Sequence, residues 1–373
     1  MMVRFIILFL IIFDIAFPPV KAVGSAVFAL VAMAPMLYSY NVSQKLFNYV
    51  KILQLPLLIV FSVILFSLFI TIISTELELT FTLSICKTLI ILFSCLLYIS
   101  VFETNRLSHD LINVFFVNAV ICFVAGSVPS LLEFVYIFKP DNSLLSWIPY
   151  RNAFLAGSGF FGISTAYGLV FFLICYLIKE EKQPLMFYLK SLTIILAGVI
   201  AGRTAMLGLA FGGLLFLLDI KKMIAFLIVI IISIGLFLSI DALSIYSHWV
   251  FELINSEGGG TESTNILFSM YDSEFSTSQL LVGDGLYDNY YMNVDAGYLR
   301  HLYFGGIFLV ILSIFFPIAL ALSSKNRLFM LFIVPICLLY HFKGAFIFHS
   351  RIGMPTLFML CIIFQQNNAR NKS

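Results

Sequence analysis

Apolar residues along the chain form long runs that are separated by short polar segments. A helix needs about 20 mostly apolar residues to cross a bilayer, and most of the runs approach that length. The pattern therefore predicts about twelve transmembrane helices, at 3–18, 22–39, 53–73, 83–102, 110–129, 160–178, 185–201, 204–219, 223–242, 298–322, 328–341 and 352–365. The expected fold class is all-α, a polytopic integral membrane protein with a single membrane domain over residues 1–373.

The first apolar run has a second interpretation as a secretory signal peptide. Arg4 precedes it, and Pro18-Pro19 follow it without a clear cleavage site of small residues. Further apolar runs come at once, so the first spanning helix is the favoured interpretation.

Composition excludes a soluble enzyme. Hydrophobic residues make up 61% of the chain and charged residues only 11%, with a mean hydropathy of +1.06, whereas soluble domains carry roughly 25% charged residues. A net charge of +2 gives no argument for a nucleic-acid partner. All six cysteines lie in apolar stretches, so neither disulfides nor a metal cluster is indicated.

The distribution of lysine and arginine predicts the orientation. Alternate loops carry the basic residues Lys45, Lys51, Arg106, Lys179, Lys182, Lys221, Lys222, Lys325 and Arg327, and the C-terminal tail carries Arg370 and Lys372. Since cytoplasmic loops are enriched in lysine and arginine, both termini are expected in the cytoplasm.

Two loops on the opposite, outer side are unusually long. The first covers about 131–159 and the second about 243–297, far longer than a connection requires. The second loop contains eight acidic residues and no lysine or arginine, together with the glycine run 258–260. These loops are the expected place for chemistry.

Several basic side chains fall on the predicted outer side, where the orientation rule disfavours them. They are Arg151, Arg203, Lys343, Arg300 and Arg351. Arginine presents a planar fork of donors that suits phosphate, so a group of them suits a lipid-linked diphosphate. The alternative is that each one anchors a helix end or pairs with an acid in a loop.

Two carboxylates accompany these cations. Asp295 precedes a predicted helix and stands five residues before Arg300. It could be the N-cap of that helix, or a carboxylate held near Arg300 that accepts a proton from a sugar hydroxyl. Asp284, between Gly283 and Gly285, is a second candidate, although a tight turn alone would explain it.

Aromatic and histidine residues near the outer side are further candidates. The clustered tyrosines could stack on sugar rings or form the aromatic belt of the membrane interface; they are Tyr287, Tyr290, Tyr291, Tyr298 and Tyr303. His301 and His341 are candidates for acid–base chemistry, and His109 and His349 are interpreted as ordinary interfacial residues. Motifs for metal or nucleotide binding are absent from the sequence, so no metal and no cofactor are expected.

These features together resemble the O-antigen polymerase (Wzy) family, within the wider O-antigen polymerase and ligase superfamily. The resemblance is carried by the helix count, the two long loops, the turn at 202–205, the segments 283–285 and 295–300, the glycines 305–306 and the spacing from Arg151 to Gly162. The segment from Lys343 to Arg351 is similar to a signature before the last helix of such proteins. The loop at 243–297 departs from the family, because it has no internal arginine.

The resemblance implies a metal-independent, inverting glycosyltransferase of lipopolysaccharide biosynthesis in the bacterial inner membrane. It would join oligosaccharide repeat units carried on undecaprenyl diphosphate, with a chain-length regulator protein as a partner. Arg203, Arg300, Arg351 and Lys343 would hold the diphosphate, Asp295 would orient or deprotonate the acceptor hydroxyl, and Arg151 would capture substrate. Tyr298, His301 and Asp284 complete the expected substrate site.

Two other functions remain open from the sequence. An O-antigen ligase is a sister enzyme, but it usually has a histidine at the position of Asp295. A lipid-linked oligosaccharide flippase also has about twelve helices. Transporters tend to bury charges near the midplane of the bilayer, whereas here the charges gather at one face, and Asp14 and Lys87 are the candidates for charges inside a span.

Overall fold

The computed structural model describes residues 2–18, 20–74, 78–102, 105–139, 148–217, 219–239, 262–272, 274–287 and 294–370. The described chain is mostly helical, with one two-stranded antiparallel sheet. In chain order the elements are α1 (Met2–Phe13), β1 (Ala16–Phe17), β2 (Val20–Gly24), α2 (Ser25–Met33), α3 (Tyr40–Ile52), α4 (Gln54–Ile73), α5 (Thr80–Val101), α6 (Leu107–Ser127), α7 (Pro129–Ile137), α8 (Pro149–Asn152), α9 (Phe160–Glu180), α10 (Leu185–Ala201), α11 (Ala205–Leu214), α12 (Ile220–Ser239), α13 (Glu262–Tyr271), α14 (Thr277–Leu281), α15 (Gly297–Ser324), α16 (Val334–Lys343) and α17 (Gly353–Arg370). A 3₁₀ turn (Ala34–Tyr38) follows α2, and a π-helical turn (Phe329–Ile333) precedes α16.

By length and composition, five helices in the described ranges can cross a membrane: α4, α5, α6, α9 and α15. A sixth span is possible if Ser25–Tyr38 and α3, which meet at a bend of 118°, are taken as one. The chain is therefore an all-α, multi-pass membrane protein. The count of twelve is not confirmed, because α1, α10, α11 and Phe329–Lys343 are shorter apolar helices.

The helix predicted at 3–18 is longer than the one in the structure, Met2–Phe13. The helix ends at Phe13, Asp14 has a φ of 39°, and the β1–β2 hairpin follows. Ser25 closes this hairpin, since its hydroxyl donates to the Leu10 carbonyl and accepts from the Ile15 amide, at 2.7 and 2.8 Å. The helix α3 was not predicted, because its polar residues interrupt the apolar pattern.

The chain divides into two compact units. The first unit comprises Met1–Ser25 and Arg106–Thr261. Its central helix is α9, which is buried along most of its length and packs against α10 and α11. Gly208 of α11 lies directly on the backbone of Gly168, so these two helices approach as closely as only glycine allows.

The second unit comprises Ala26–Asn105 and Glu262–Ser373. Its central helix, α15, packs against α4, α16 and α17. This helix is broken at Gly305 and Gly306, and Gly306 has a φ of 64°. The carbonyls of Tyr303 and Phe304, which a continuous helix would use internally, accept instead from the amides of Asp284 and Gly285, at 2.6 and 3.1 Å.

The break in α15 generates a testable prediction for Gly306→Ala. A Cβ at this position would lie 2.4 Å from the Leu281 carbonyl oxygen, in a backbone conformation that only glycine adopts readily. We expect a loss of about 1–3 kcal/mol or more of stability, measured as a lower Tm of the full chain in detergent.

Gly235→Ala is the matched control, because a Cβ at Gly235 in α12 meets no atom within 4 Å. This variant is expected to keep or slightly raise the Tm. Equal melting temperatures for the two variants would contradict the strained geometry at Gly306.

Candidate functional site

The predicted site residues fall in both units. Arg151 and Arg203 belong to the first unit. The second unit contains Asp284, Asp295, Tyr298, Arg300, His301, Lys343 and Arg351. Tyr290 and Tyr291 lie outside the described residues. Within each unit, the structure brings several of these side chains together.

Arg300 and Asp295 form an ion pair at the start of α15. Arg300 Nη2 lies 3.5 Å from Asp295 Oδ1, and Arg300 Nε donates to the Val294 carbonyl at 2.6 Å. The N-cap of α15 is Ala296, so Asp295 does not cap the helix. Its side chain is 79% exposed and that of Arg300 only 22%. The geometry therefore fits an accessible carboxylate beside a fixed guanidinium.

Tyr287 packs between Arg300 and the start of α5. The guanidinium carbon of Arg300 lies 5.5 Å from the centre of the tyrosine ring, which also stacks on the Phe81 ring at 4.5 Å. The backbone amide of Tyr287 donates to Glu78 Oε2 at 2.8 Å. Sequence reasoning included Tyr287 in the tyrosine cluster but missed Glu78, because burial of Glu78 is a property of the fold.

His349 was interpreted as an ordinary interfacial residue, but it lies among these groups. The half-buried imidazole is 3.2 Å from Ser84 Oγ through Nδ1, and its ring centre is 5.4 Å from that of Tyr287. Burial, followed by the positive charges of Arg300 and Arg351, lowers the pKa of His349 to about 4. His349 is thus neutral at pH 7, and the two arginines act on the same region.

His301 and His341 are in direct contact in the interior of the second unit. The Ile347 amide donates to His341 Nδ1 at 3.2 Å, which places the His341 proton on Nε2. That nitrogen lies 3.1 Å from His301 Nδ1, which also contacts the Ser313 hydroxyl. Both rings are fully buried, and His301 Nε2 has no hydrogen-bond partner within the described residues.

The remaining candidates of the second unit have identifiable structural contacts. Asp284 lies in a tight turn, with φ of 78° and 76° at Gly283 and Gly285, and its Oδ2 accepts from Gln279 Nε2 at 2.8 Å. Tyr298 donates its hydroxyl to the Leu338 carbonyl at 3.3 Å. Lys343 is the last residue of α16 and is half-buried.

In the first unit, Arg151 connects the first long loop to the Gly202-Arg203 turn. Its Nε donates to the Ala201 carbonyl at 3.3 Å, and its guanidinium lies 4.2 Å from the centre of the Phe160 ring. A Cβ on Gly202 would lie 2.7 Å from the Ser164 side chain, so this turn needs a residue without one. Arg151 and the turn that precedes α11 therefore form one assembly.

Lys139 is a buried cation that sequence reasoning missed. It follows α7, and only 7% of its surface is exposed. Burial lowers the pKa of its amine to about 8, and the nearby Cys122 thiol opposes this effect. In the sequence Lys139 stands between the apolar stretch 134–138 and the polar stretch 140–143, a position that gives no sign of burial.

Among the described residues, no group of three or more histidine, cysteine, aspartate or glutamate side chains could hold a metal ion. The comparisons with known proteins add no family: no family model, no curated protein and no solved structure matches the chain.

Burial of Lys139 predicts how stability depends on its charge. Its pKa in the folded protein lies below the ordinary value of 10.5, so the folded state disfavours the protonated amine. Lys139→Met removes this penalty, and we expect a gain on the order of 3 kcal/mol at pH 7. Wild-type stability should rise between about pH 8 and 10.5, so the gain shrinks across this interval.

Thermal unfolding of the full chain in detergent at pH 7 and pH 10 measures both effects. Lys45→Met is the control. Lys45 in α3 is exposed, so its replacement should not change the thermal stability at either pH. If the Lys139→Met variant is less stable than wild type at pH 7, the buried charge of Lys139 does not destabilise the folded protein.

Proposed function

We propose that the chain is an O-antigen polymerase: a metal-independent, inverting glycosyltransferase that joins undecaprenyl-diphosphate-linked repeat units at the periplasmic face of a bacterial inner membrane. The proposal includes both termini in the cytoplasm and the loops at 131–159 and 243–297 in the periplasm. The count of twelve spans stays a prediction within it.

The proposed reaction is a direct displacement. A hydroxyl oxygen of the acceptor sugar attacks the anomeric carbon of the donor chain, and the bond from that carbon to the diphosphate breaks. The bonding electron pair goes to the diphosphate oxygen, and the hydroxyl proton goes to the Asp295 carboxylate. Arginines fixed beside the departing diphosphate stabilise its growing negative charge without a metal ion.

The observation that carries the proposal is the geometry of Arg300. Its guanidinium is fixed by the Val294 carbonyl and lies over the Tyr287 ring, with the exposed carboxylate of Asp295 at 3.5 Å. A proton acceptor and a charge-stabilising cation thus stand at one helix start. Arg351 supports the same assignment, because it acts together with Arg300 on His349.

The first unit is assigned to the binding of substrate. Arg203 begins the turn before α11, and Arg151 contacts the residue before Gly202. We assign Arg203 to the diphosphate and Arg151 to capture of the substrate. Lys343, Tyr298, His301 and Asp284 are retained as residues of the sugar and diphosphate site in the second unit.

Neutral replacement of the arginines tests their role. In a deletion strain, Arg203→Gln and Arg300→Gln should collapse the lipopolysaccharide ladder to core plus one repeat unit, because the leaving group loses a fixed positive charge. Removal of one such group typically costs about 10²–10³ in rate. Arg327→Gln, an equal change at an exposed residue, should leave the ladder unchanged.

If both variants are present in the membrane at normal abundance and still make polysaccharide of wild-type length, the two arginines have no part in the reaction. The deletion strain itself separates the competing functions. Loss of a ligase leaves polymer of normal length that is not joined to core, and loss of a flippase removes the single-unit cap as well.

Asp295→Asn tests the proton acceptor separately. The amide keeps the size of the side chain and its contact with Arg300, but it takes up no proton, so polymerisation should fall by about 10²–10⁴. The ladder and the in vitro rate at pH 7 measure the effect. A variant that polymerises at the wild-type rate would show that Asp295 is no base.

A further inference from the structure

The helix α3 is an element of the second unit that the proposed reaction does not use. It packs against α5, and its half-buried side chains form one face with the spacing of a helix side. These side chains are Val42, Leu46, Tyr49 and Val50. The opposite face is exposed and polar. It consists of Asn41, Gln44, Lys45, Asn48 and Lys51. The helix is therefore amphipathic, although the segments on both sides of it are apolar.

Two hydrogen bonds place α3 at the same end of the second unit as the end of α15. Gln366 Nε2 on α17 donates to the Tyr49 hydroxyl of α3 at 3.4 Å. Two residues further along α17, Asn368 Nδ2 donates to the Lys325 carbonyl at 2.8 Å. Lys325 directly follows α15, whereas Arg300 of the candidate site lies at the start of that helix. This end of the unit is thus remote from the candidate site.

The exposed charge at this end is positive. Three lysines there are exposed and form no ion pair among the described residues. We call them the lysine surface: Lys45, Lys51 and Lys325. In the sequence, the segments 39–54, 322–328 and 364–373 contain six basic residues and no acidic one. Glu103, which follows α5, lies outside the described residues and can balance only one of these charges. A partner of this surface is therefore negatively charged.

Apolar side chains beside the lysines indicate that the partner is a membrane surface. Tyr40 and Phe47 of α3 are exposed. The candidate span α4 begins three residues after Lys51 with an exposed leucine, Leu55, and Leu322 is exposed in the last turn of the candidate span α15. Lysines and aromatic side chains at the ends of apolar helices are typical of the membrane interface, where lysine extends its ammonium group towards the headgroups.

We propose that the lysine surface binds the headgroups of anionic phospholipids, and that α3 lies at the membrane interface instead of completing a span with Ser25–Tyr38. The lipid phosphates contact the three ammonium groups, and Tyr40 and Phe47 enter the boundary between headgroups and acyl chains. The five polar residues of α3 stay in contact with water or headgroups. The inference does not rest on the proposed function.

The lipid preference of the reconstituted full-length protein tests this surface. The protein is placed in phosphatidylcholine vesicles that contain a trace of spin-labelled phosphatidylglycerol or of spin-labelled phosphatidylcholine. The fraction of each label that is immobilised by the protein gives the relative affinity, and we expect wild type to prefer phosphatidylglycerol.

The double variant Lys45→Gln, Lys51→Gln should lower this preference about twofold or more. One lysine near an anionic lipid surface corresponds to about fivefold in binding, and the label averages over all lipid positions around the protein. Adding Lys325→Gln should lower the preference further.

Two controls separate the lysine surface from packing and from total charge. Lys45→Arg with Lys51→Arg keeps the charge and should retain the wild-type preference. Lys182→Gln with Lys221→Gln removes the same net charge from exposed positions of the first unit, and it should lower the preference less than the α3 double variant does.

Three results would overturn the inference. One is a wild-type protein without preference for phosphatidylglycerol, which would leave the surface to an acidic protein or to a second copy of the chain. Another is an unchanged preference in the α3 double variant. The third is an equal loss in the control of the first unit, because the preference would then follow the net charge and not this surface.

Discussion

In a bilayer, a backbone amide or carbonyl without a hydrogen-bond partner is too costly to leave unsatisfied. The second unit depends on this constraint at one point, the break in α15. The freed carbonyls of Tyr303 and Phe304 are satisfied by the turn at Asp284. That turn leads directly to Tyr287, which contacts the Arg300 guanidinium. The pairing that closes the broken helix therefore also sets the position of the aromatic surface beneath the candidate site.

The two units place their arginines in similar ways. Arg300 and Arg151 each donate through Nε to a backbone carbonyl, and each guanidinium lies over an aromatic ring. These contacts fix the guanidinium plane before any ligand binds, which reduces the entropy lost on binding.

The positions of most helices could be predicted from the sequence, because each of the twelve predicted apolar segments contains helix. The number of spans could not be predicted, because an apolar run gives no information on where a helix breaks. The helix that ends before Asp14 is an example. The proximity of Arg300 to Asp295 could be predicted, because Asp295 lies just before a predicted helix and Arg300 lies in the first turn of that helix. The burial of three other residues could not be predicted, because it arises from segments distant in sequence. These residues are Glu78, Lys139 and His349.

The contact between the turn and the broken helix is made by backbone on both sides. A Cβ on Gly283 would meet the Phe304 carbonyl carbon and the Gly305 nitrogen, and one on Gly306 would meet the Leu281 carbonyl. Main-chain atoms are the same whatever side chain a codon specifies. A selection for second-site suppressors of a substitution at either glycine should therefore yield reversion of the original codon, with no compensating change across this contact.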